Sequence, residues 1–304
     1  KAVQPGGQTT EAGYDALGRI TQVWQPGRSR ATQTASTTYD YTVSPSAPST
    51  VTTRALLPSG SGYATSVTLL DSFLRTRQVQ TPAAAGVGRL VTDTRYDSRG
   101  NPVLTDSYYN GDSDPTTTLV TPTSRTSILT SHRYSFDFAG RQTRDGFYSA
   151  EALQWETTTG YTGDTVTTDP PAGGTPTTVV SDVFGRTTQL IQHLGTNPTA
   201  PGVETSYRYD PAGNLTSMTD AKGNEWSYTW DLAGNKLTSD DPDKGVSSMT
   251  YDAVNRLTSS TDARGVTLKY FYDALGRATG TTKADGTTTL TSTTWDTVVK
   301  GLQA

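Results

Sequence analysis

Apolar and polar residues alternate strictly through much of the C-terminal half. In Asn224-Glu225-Trp226-Ser227-Tyr228-Thr229-Trp230, the rings of Trp226, Tyr228 and Trp230 fall on one side. Glu225, Ser227 and Thr229 fall on the other. Val266, Leu268, Tyr270 and Tyr272 share one side of the next such run, opposite Thr267 and Lys269, with Phe271 expected to pack on the far side. A period of two marks half-buried antiparallel strands. No stretch sustains the 3-4-7 spacing of an amphipathic helix, so almost no helix is expected.

Between the alternating runs a phrase recurs. It reads Tyr209-Asp210-Pro211-Ala212-Gly213-Asn214, then Trp230-Asp231-Leu232-Ala233-Gly234-Asn235. It returns as Tyr251-Asp252-Ala253-Val254-Asn255-Arg256 and Tyr272-Asp273-Ala274-Leu275-Gly276-Arg277. The aspartates step by 21 residues, the mark of a repeat architecture. Earlier copies begin at Tyr14-Asp15, Tyr96-Asp97, Phe136-Asp137 and Ser181-Asp182, closing with Gly18, Gly100, Gly140 and Gly185. Their aspartate steps, including a weak copy at Asp71, are 56, 26, 40, 45 and 28, so the upstream units carry insertions.

The phrase specifies a turn. Aspartate suits the first position of a type I turn, and its carboxylate accepts backbone N–H groups further on. The glycine supplies the positive φ that closes the loop with a bulge, and Asn255 is the next-best residue for it. Asp15, Asp97, Asp137, Asp182, Asp210, Asp231, Asp252 and Asp273 are therefore read as turn caps. Leu74 stands where glycine belongs, and a distorted or different turn is expected at 71–75. Second turns at Asp220–Gly223, Asp262–Gly265 and Lys283–Gly286 lie half a period later. Gly234 to Gly245 spans one residue more than its counterparts, which predicts a bulge near Lys236. Each unit is thus strand, turn, strand, turn.

Hydrophobic residues make up 32% of the 304, against the usual ~45–50%. Serine and threonine fill the gap, and threonine is a good strand former. A net charge of −4 argues against a nucleic-acid surface. Absence of cysteine excludes disulfide scaffolds and thiolate metal sites. No apolar run is long enough for a membrane-spanning helix. Residues 1–180 read as a degenerate array whose long connections lie at 44–62, 110–127 and 157–178, as long hairpin tips or ragged strands, and 181–304 as the regular array, both within one continuous sheet. The chain begins without an initiator methionine and Trp295-Asp296 reads like the start of another phrase, so a segment of a longer polypeptide is expected.

These phrases resemble the YD repeats of the Rhs family: bacterial polymorphic toxins, wall-associated proteins, shell subunits of insecticidal toxin complexes and, distantly, teneurins. The resemblance implies an all-β fold of repeated antiparallel hairpins, a sheet spiralling into a hollow shell. It implies a structural role, with an enclosed cargo domain or other parts of the same polypeptide as partners, in a secreted or cell-surface bacterial protein. Family members often cleave themselves in a core segment after the repeats. None is recognisable after residue 290, so neither that activity nor a toxin is assigned to this chain.

Other chemistry has weak support. The phrase aspartates lack the dense oxygen spacing of calcium loops, and Asp240, Asp241 and Asp243 fit a solvated turn. His132 and His193 have no nucleophile context. No enzyme activity, cofactor or metal is expected. Trp226, Tyr228, Trp230, Tyr251, Tyr270 and Tyr272 are read as sheet-face packing. The alternative is an extracellular adhesin that stacks cell-surface glycans on Trp226 and Trp230.

Overall fold

The computed structural model describes residues 2–3, 8–84, 87–111 and 113–296. Apart from a 3-10 helix at Arg125–Ser127, the regular structure among these residues is β, and every described strand pairing is antiparallel. The chain divides into two compact units, Lys1–Thr159 with Pro170–Ala172, and Gly160–Asp169 with Gly173–Ala304.

In the first unit the strands are β1 (Ala2–Val3), β2 (Thr9–Tyr14), β3 (Ile20–Trp24), β4 (Thr37–Thr42), β5 (Ser49–Leu56) and β6 (Tyr63–Leu70). They continue as β7 (Thr76–Pro82), β8 (Arg89–Tyr96), β9 (Pro102–Asn110), β10 (Thr130–Phe136), β11 (Gln142–Ser149) and β12 (Ala152–Thr162), whose last residues belong to the second unit. Each pairs with the next in a plain meander. Two cross-strand rows share one face of this sheet. One runs Leu69–Gln78–Asp93–Asp106–Ser131 and the other Val67–Gln80–Val91–Tyr108. All these residues are buried.

The segment after β9 covers that face as a strap. The Gln78 amide acts like a missing strand: Nε2 donates to the Val120 carbonyl at 2.8 Å, and Oε1 accepts the Val120 N–H at 2.9 Å. Gln80 does the same with the Thr118 carbonyl (2.8 Å) and the Thr116 N–H (2.9 Å). Arg125 clamps Asp106 at 2.9 and 3.3 Å, and Ile128 joins Val91 and Tyr108 in the core. Buried glutamines are tolerable here because their amide groups are hydrogen-bonded.

The second unit comprises β13 (Thr165–Asp169), β14 (Thr177–Ser181), β15 (Thr187–His193), β16 (Gly202–Tyr209), β17 (Leu215–Thr219) and β18 (Glu225–Trp230). It ends with β19 (Lys236–Asp241), β20 (Gly245–Tyr251), β21 (Leu257–Thr261), β22 (Thr267–Tyr272), β23 (Ala278–Lys283) and β24 (Thr289–Ser292), again paired in sequence order. Among its described residues only Pro176, Thr178, His193, Ser217 and Thr282 are buried, so this unit is one sheet thick. Threonine abundance has a local cause. Cross-strand hydroxyl pairs such as Thr229–Thr238 (2.6 Å) and Thr281–Thr291 (2.8 Å) give the exposed face a polar ladder on β-branched stems.

The stretches read as hairpin tips or ragged strands resolve in part into strands. The stretch 44–62 contains β5 between two connections. The stretch 157–178 likewise holds the end of β12 and all of β13. Phe271 does face the other side of β22, but opposite Gly280 it has little to pack on and stays 43% exposed. The bulge opposite Lys236 belongs to the phrase turn and recurs in the other phrase hairpins. The extra residue before Gly245 lengthens the next turn, where the Asp241 carboxylate accepts the N–H groups of Asp243 and Lys244.

Candidate functional site: aspartate turns and aromatic ties

Asp15-Ala16-Leu17-Gly18-Arg19 illustrates the turn. The Gly18 N–H donates to the Asp15 carbonyl at 3.1 Å, and the Asp15 N–H donates to the Arg19 carbonyl at 3.0 Å. One carboxylate oxygen accepts the N–H groups of Leu17 and Arg19, both at 2.9 Å. This is a type I turn closed by a glycine bulge. The same backbone pair forms at Asp97, Asp137, Asp182, Asp210, Asp231, Asp252 and Asp273. The closing residues Gly18, Gly100, Gly140, Gly185, Gly213, Gly234, Asn255 and Gly276 have φ between 64° and 95°. Asp220 and Asp262 make the same turn on the opposite edge.

The expected distortion at 71–75 does not occur. Leu74 adopts φ 60°, its N–H reaches the Asp71 carbonyl at 3.0 Å, and Asp71 caps Phe73 and Arg75 as elsewhere. The set of hydrogen bonds outweighs the ~1–2 kcal/mol that a left-handed conformation costs an L-residue.

The last phrase residue has a role beyond restarting the strand. Arg19, Arg141, Arg186, Arg256 and Arg277 each donate Nε to the second carboxylate oxygen of their own aspartate at 2.7 Å. Asn101, Asn214 and Asn235 do so with Nδ2 at 2.8–3.0 Å. Arginine and asparagine alternate there because both place a planar N–H at the same reach. The pairing of aspartate with one of these two, four residues on, was a visible signal. The donors hold the carboxylates below the ordinary aspartate range. The largest cause is the Asn side chain at Asp97, Asp210 and Asp231, and the backbone N–H of the arginine at Asp15, Asp137, Asp252 and Asp273.

The aromatics link one turn to the next. Between β21 and β22 the ladder stops at Ser259–Lys269, short of the phrase edge. The Leu257 carbonyl beyond it accepts the Tyr272 hydroxyl at 3.0 Å. The same tie runs from Tyr96 to Thr76, Tyr209 to Thr187, Trp230 to Leu215, Tyr251 to Lys236 and Trp295 to Ala278, at 2.7–3.1 Å. In every case the accepting residue directly follows the preceding phrase. Tyr41 makes it to Ile20, which reveals a hairpin of the series hidden in the 56-residue step. Arginines of the preceding phrase lie over the same rings: Arg75 on Tyr96 (4.3 Å), Arg186 on Tyr209 (4.9 Å) and Arg256 on Tyr272 (5.0 Å). Trp226, Tyr228 and Tyr270 line the same sheet face, half-buried; Tyr270 shares a hydrogen bond with Ser260 at 2.9 Å.

The histidines are engaged structurally. His193 is buried, with Nδ1 2.6 Å from the Ala200 carbonyl and Nε2 2.8 Å from the Thr178 hydroxyl. His132 meets Asp145 at 2.9 Å among Tyr134, Phe147 and Trp155. Among the described residues no group of three His, Asp or Glu side chains could hold a metal ion, and no helix is long and apolar enough to cross a membrane.

Turns capped by aspartate and tied by aromatics define an antiparallel hairpin-repeat protein. Residues 174–225, 209–246 and 251–288 match the family model described as RHS Repeat. Over these residues the chain carries Rhs/YD repeats. No curated protein matches it by sequence. Solved structures with a similar fold include the TcdB2-TccC3 crystal structure, at TM-score 0.72 and 18% identity, covering 94% of this chain and 18% of that one. TcdB2-TccC3-Cdc42 matches at TM-score 0.67 and 16% identity, covering 96% and 21%. The Photorhabdus luminescens Tc holotoxin pore with a mutated TccC3 matches at TM-score 0.61 and 19% identity, covering 83% and 14%. The chain therefore spans about a fifth or less of the length of the chains it matches.

Proposed function

We propose that this chain is a stretch of the wall of an Rhs-type shell that encloses a polypeptide cargo, such as a toxin, for delivery by a secreted bacterial complex. The observation that carries the reading is the second unit's construction. Among its described residues it is one sheet thick with no apolar core, and it is held by turn caps and turn-to-turn ties. Such a sheet gains little by folding onto itself and much by forming a partition. The structures of similar fold come from Tc toxin complexes. The role is architectural, and chemistry belongs to what is enclosed. The rings considered for glycan stacking support this, since Trp230 Nε1 is bound to the Leu215 carbonyl. Electron microscopy of the intact protein is the test. A hollow β-shell with internal density is expected, and a solid compact particle would overturn the proposal.

A further inference from the structure

Two polar side chains of the first unit face each other without meeting. Arg89 and Asn110 are directly paired across β8 and β9. Arg89 is 7% exposed. Its Nη1 donates to Gln80 Oε1 at 3.2 Å, to the Asp114 carbonyl at 2.9 Å and to the Thr116 hydroxyl at 3.0 Å. All three acceptors are neutral. Arg89 Nε and Asn110 Oδ1 are both buried without a hydrogen-bond partner among the described residues. The other ions of this face have opposite charges beside them: Asp93 meets Arg77, and Asp106 meets Arg125. A water between Arg89 and Asn110 would satisfy both atoms but leave a buried cation without a counter-charge, a costly arrangement.

The sequence holds the means of supplying that charge. Of the chain's asparagines only Asn110 precedes a glycine. The carboxamide carbon of an asparagine can be attacked by the backbone nitrogen of the next residue, and glycine, with no Cβ, obstructs the attack least. Gly111 lies just beyond the end of β9, where the strap begins. We propose that Asn110 converts itself to aspartate, and that the new carboxylate pairs with the buried Arg89 and fixes the start of the strap. Gly111 N bonds to Asn110 Cγ, the Cγ–Nδ2 bond breaks, and ammonia leaves with the proton of the Gly111 amide. Water then adds to Cγ of the cyclic imide, and the Cγ–N bond breaks. The proton returns to Gly111 N and the new acid ionises. Opening at Cγ keeps the backbone of β9 intact. Opening at the other carbonyl gives isoaspartate, which lengthens the backbone and pulls residue 110 out of register with Arg89. Arg89 already holds the strap at Asp114 and Thr116, so a carboxylate on Nε orients the guanidinium that makes those bonds.

Peptide mass mapping of the whole chain, held in warm, mildly alkaline buffer, tests the proposal. Residue 110 should gain the mass of an amide turned to acid, with aspartate as the main product, while Asn214, Asn224, Asn235 and Asn255 stay amides. Gly111→Ala should slow the conversion severalfold. Asn110→Asp should lower the unfolding constant about tenfold relative to the freshly purified amide form. It should also slow proteolysis within 113–124. In an Arg89→Met background that gain should vanish. An Asn110 that stays an amide, isoaspartate as the main product, an Asn110→Asp chain no more stable than the amide form, or a gain that persists without Arg89 would each overturn the proposal. The mass map and the Asn110→Asp comparison decide the matter even if Arg89→Met does not fold.

Discussion

Replacing Tyr272 by phenylalanine removes one oxygen and isolates the tie. The hydroxyl donates to the Leu257 carbonyl at 3.0 Å, and the described ladder between β21 and β22 has already stopped at Ser259–Lys269. A neutral hydrogen bond of this kind contributes about 0.5–1.5 kcal/mol net. The ring stays, so the contact with Arg256, at 5.0 Å from its centroid, survives. Tyr272→Phe should therefore cost about 1 kcal/mol. Tyr272→Ala also loses the cation–π contact, about 0.5–1 kcal/mol. Burial of about half a ring adds ~2 kcal/mol at 25 cal/mol per Å2, for a total of roughly 3–4 kcal/mol. The internal control is Tyr228→Phe, whose hydroxyl has no hydrogen-bond partner among the described residues and which should be nearly silent. Urea unfolding, with hydrogen exchange followed across 257–272, measures all three. If Tyr272→Phe matches Tyr228→Phe, the hydroxyl tie contributes nothing and the reasoning fails.

Leu74→Gly relieves the left-handed strain at a largely exposed side chain and should stabilise the fold by about 0.5–1 kcal/mol after the added flexibility of the unfolded chain, read as a higher urea midpoint; an unchanged or lower midpoint refutes this. The turn aspartates have lowered folded-state pKa values, so their contribution is full above about pH 4 and is lost as pH falls through those values, with Asp285 the last at about 2. Melting temperature should accordingly hold from neutral pH to about 4 and decline below it, and a decline that begins near pH 6 would point elsewhere. Gln78→Ala with Gln80→Ala strips the strap of its four amide bonds, which should expose residues 113–124 to limited proteolysis while the phrase turns stay protected; unchanged cleavage would show that the strap is held by other contacts.

The turns were legible because they are local. Asp, two free residues, then Gly or Asn define them within five positions, and the 21-residue step places the strands. Leu74 misled because residue preference is worth about 1–2 kcal/mol, and several hydrogen bonds acting together exceed it. The hairpin between β4 and β5 was hidden because its connection, Val43–Pro48, lacks the phrase, although Tyr41 keeps the tie. The strap was out of reach. Gln78 and Val120 are 42 positions apart, and nothing in either's neighbourhood signals the other. The aromatic ties fell between these cases. The rings were placed on the correct face, but the orphan carbonyl they serve exists only where two ladders part.

Each tie also runs in one direction. The donor always lies later in the chain than the carbonyl it satisfies, by 15 to 22 residues. A hairpin leaving the ribosome thus has its own turn complete but one carbonyl unmet until the next aromatic emerges. At 5–20 residues per second that wait is about one to four seconds. Each arrival finishes its predecessor and leaves a single new vacancy at the growing end, so the array can be assembled in the order it is translated, with no long-range pairing to wait for.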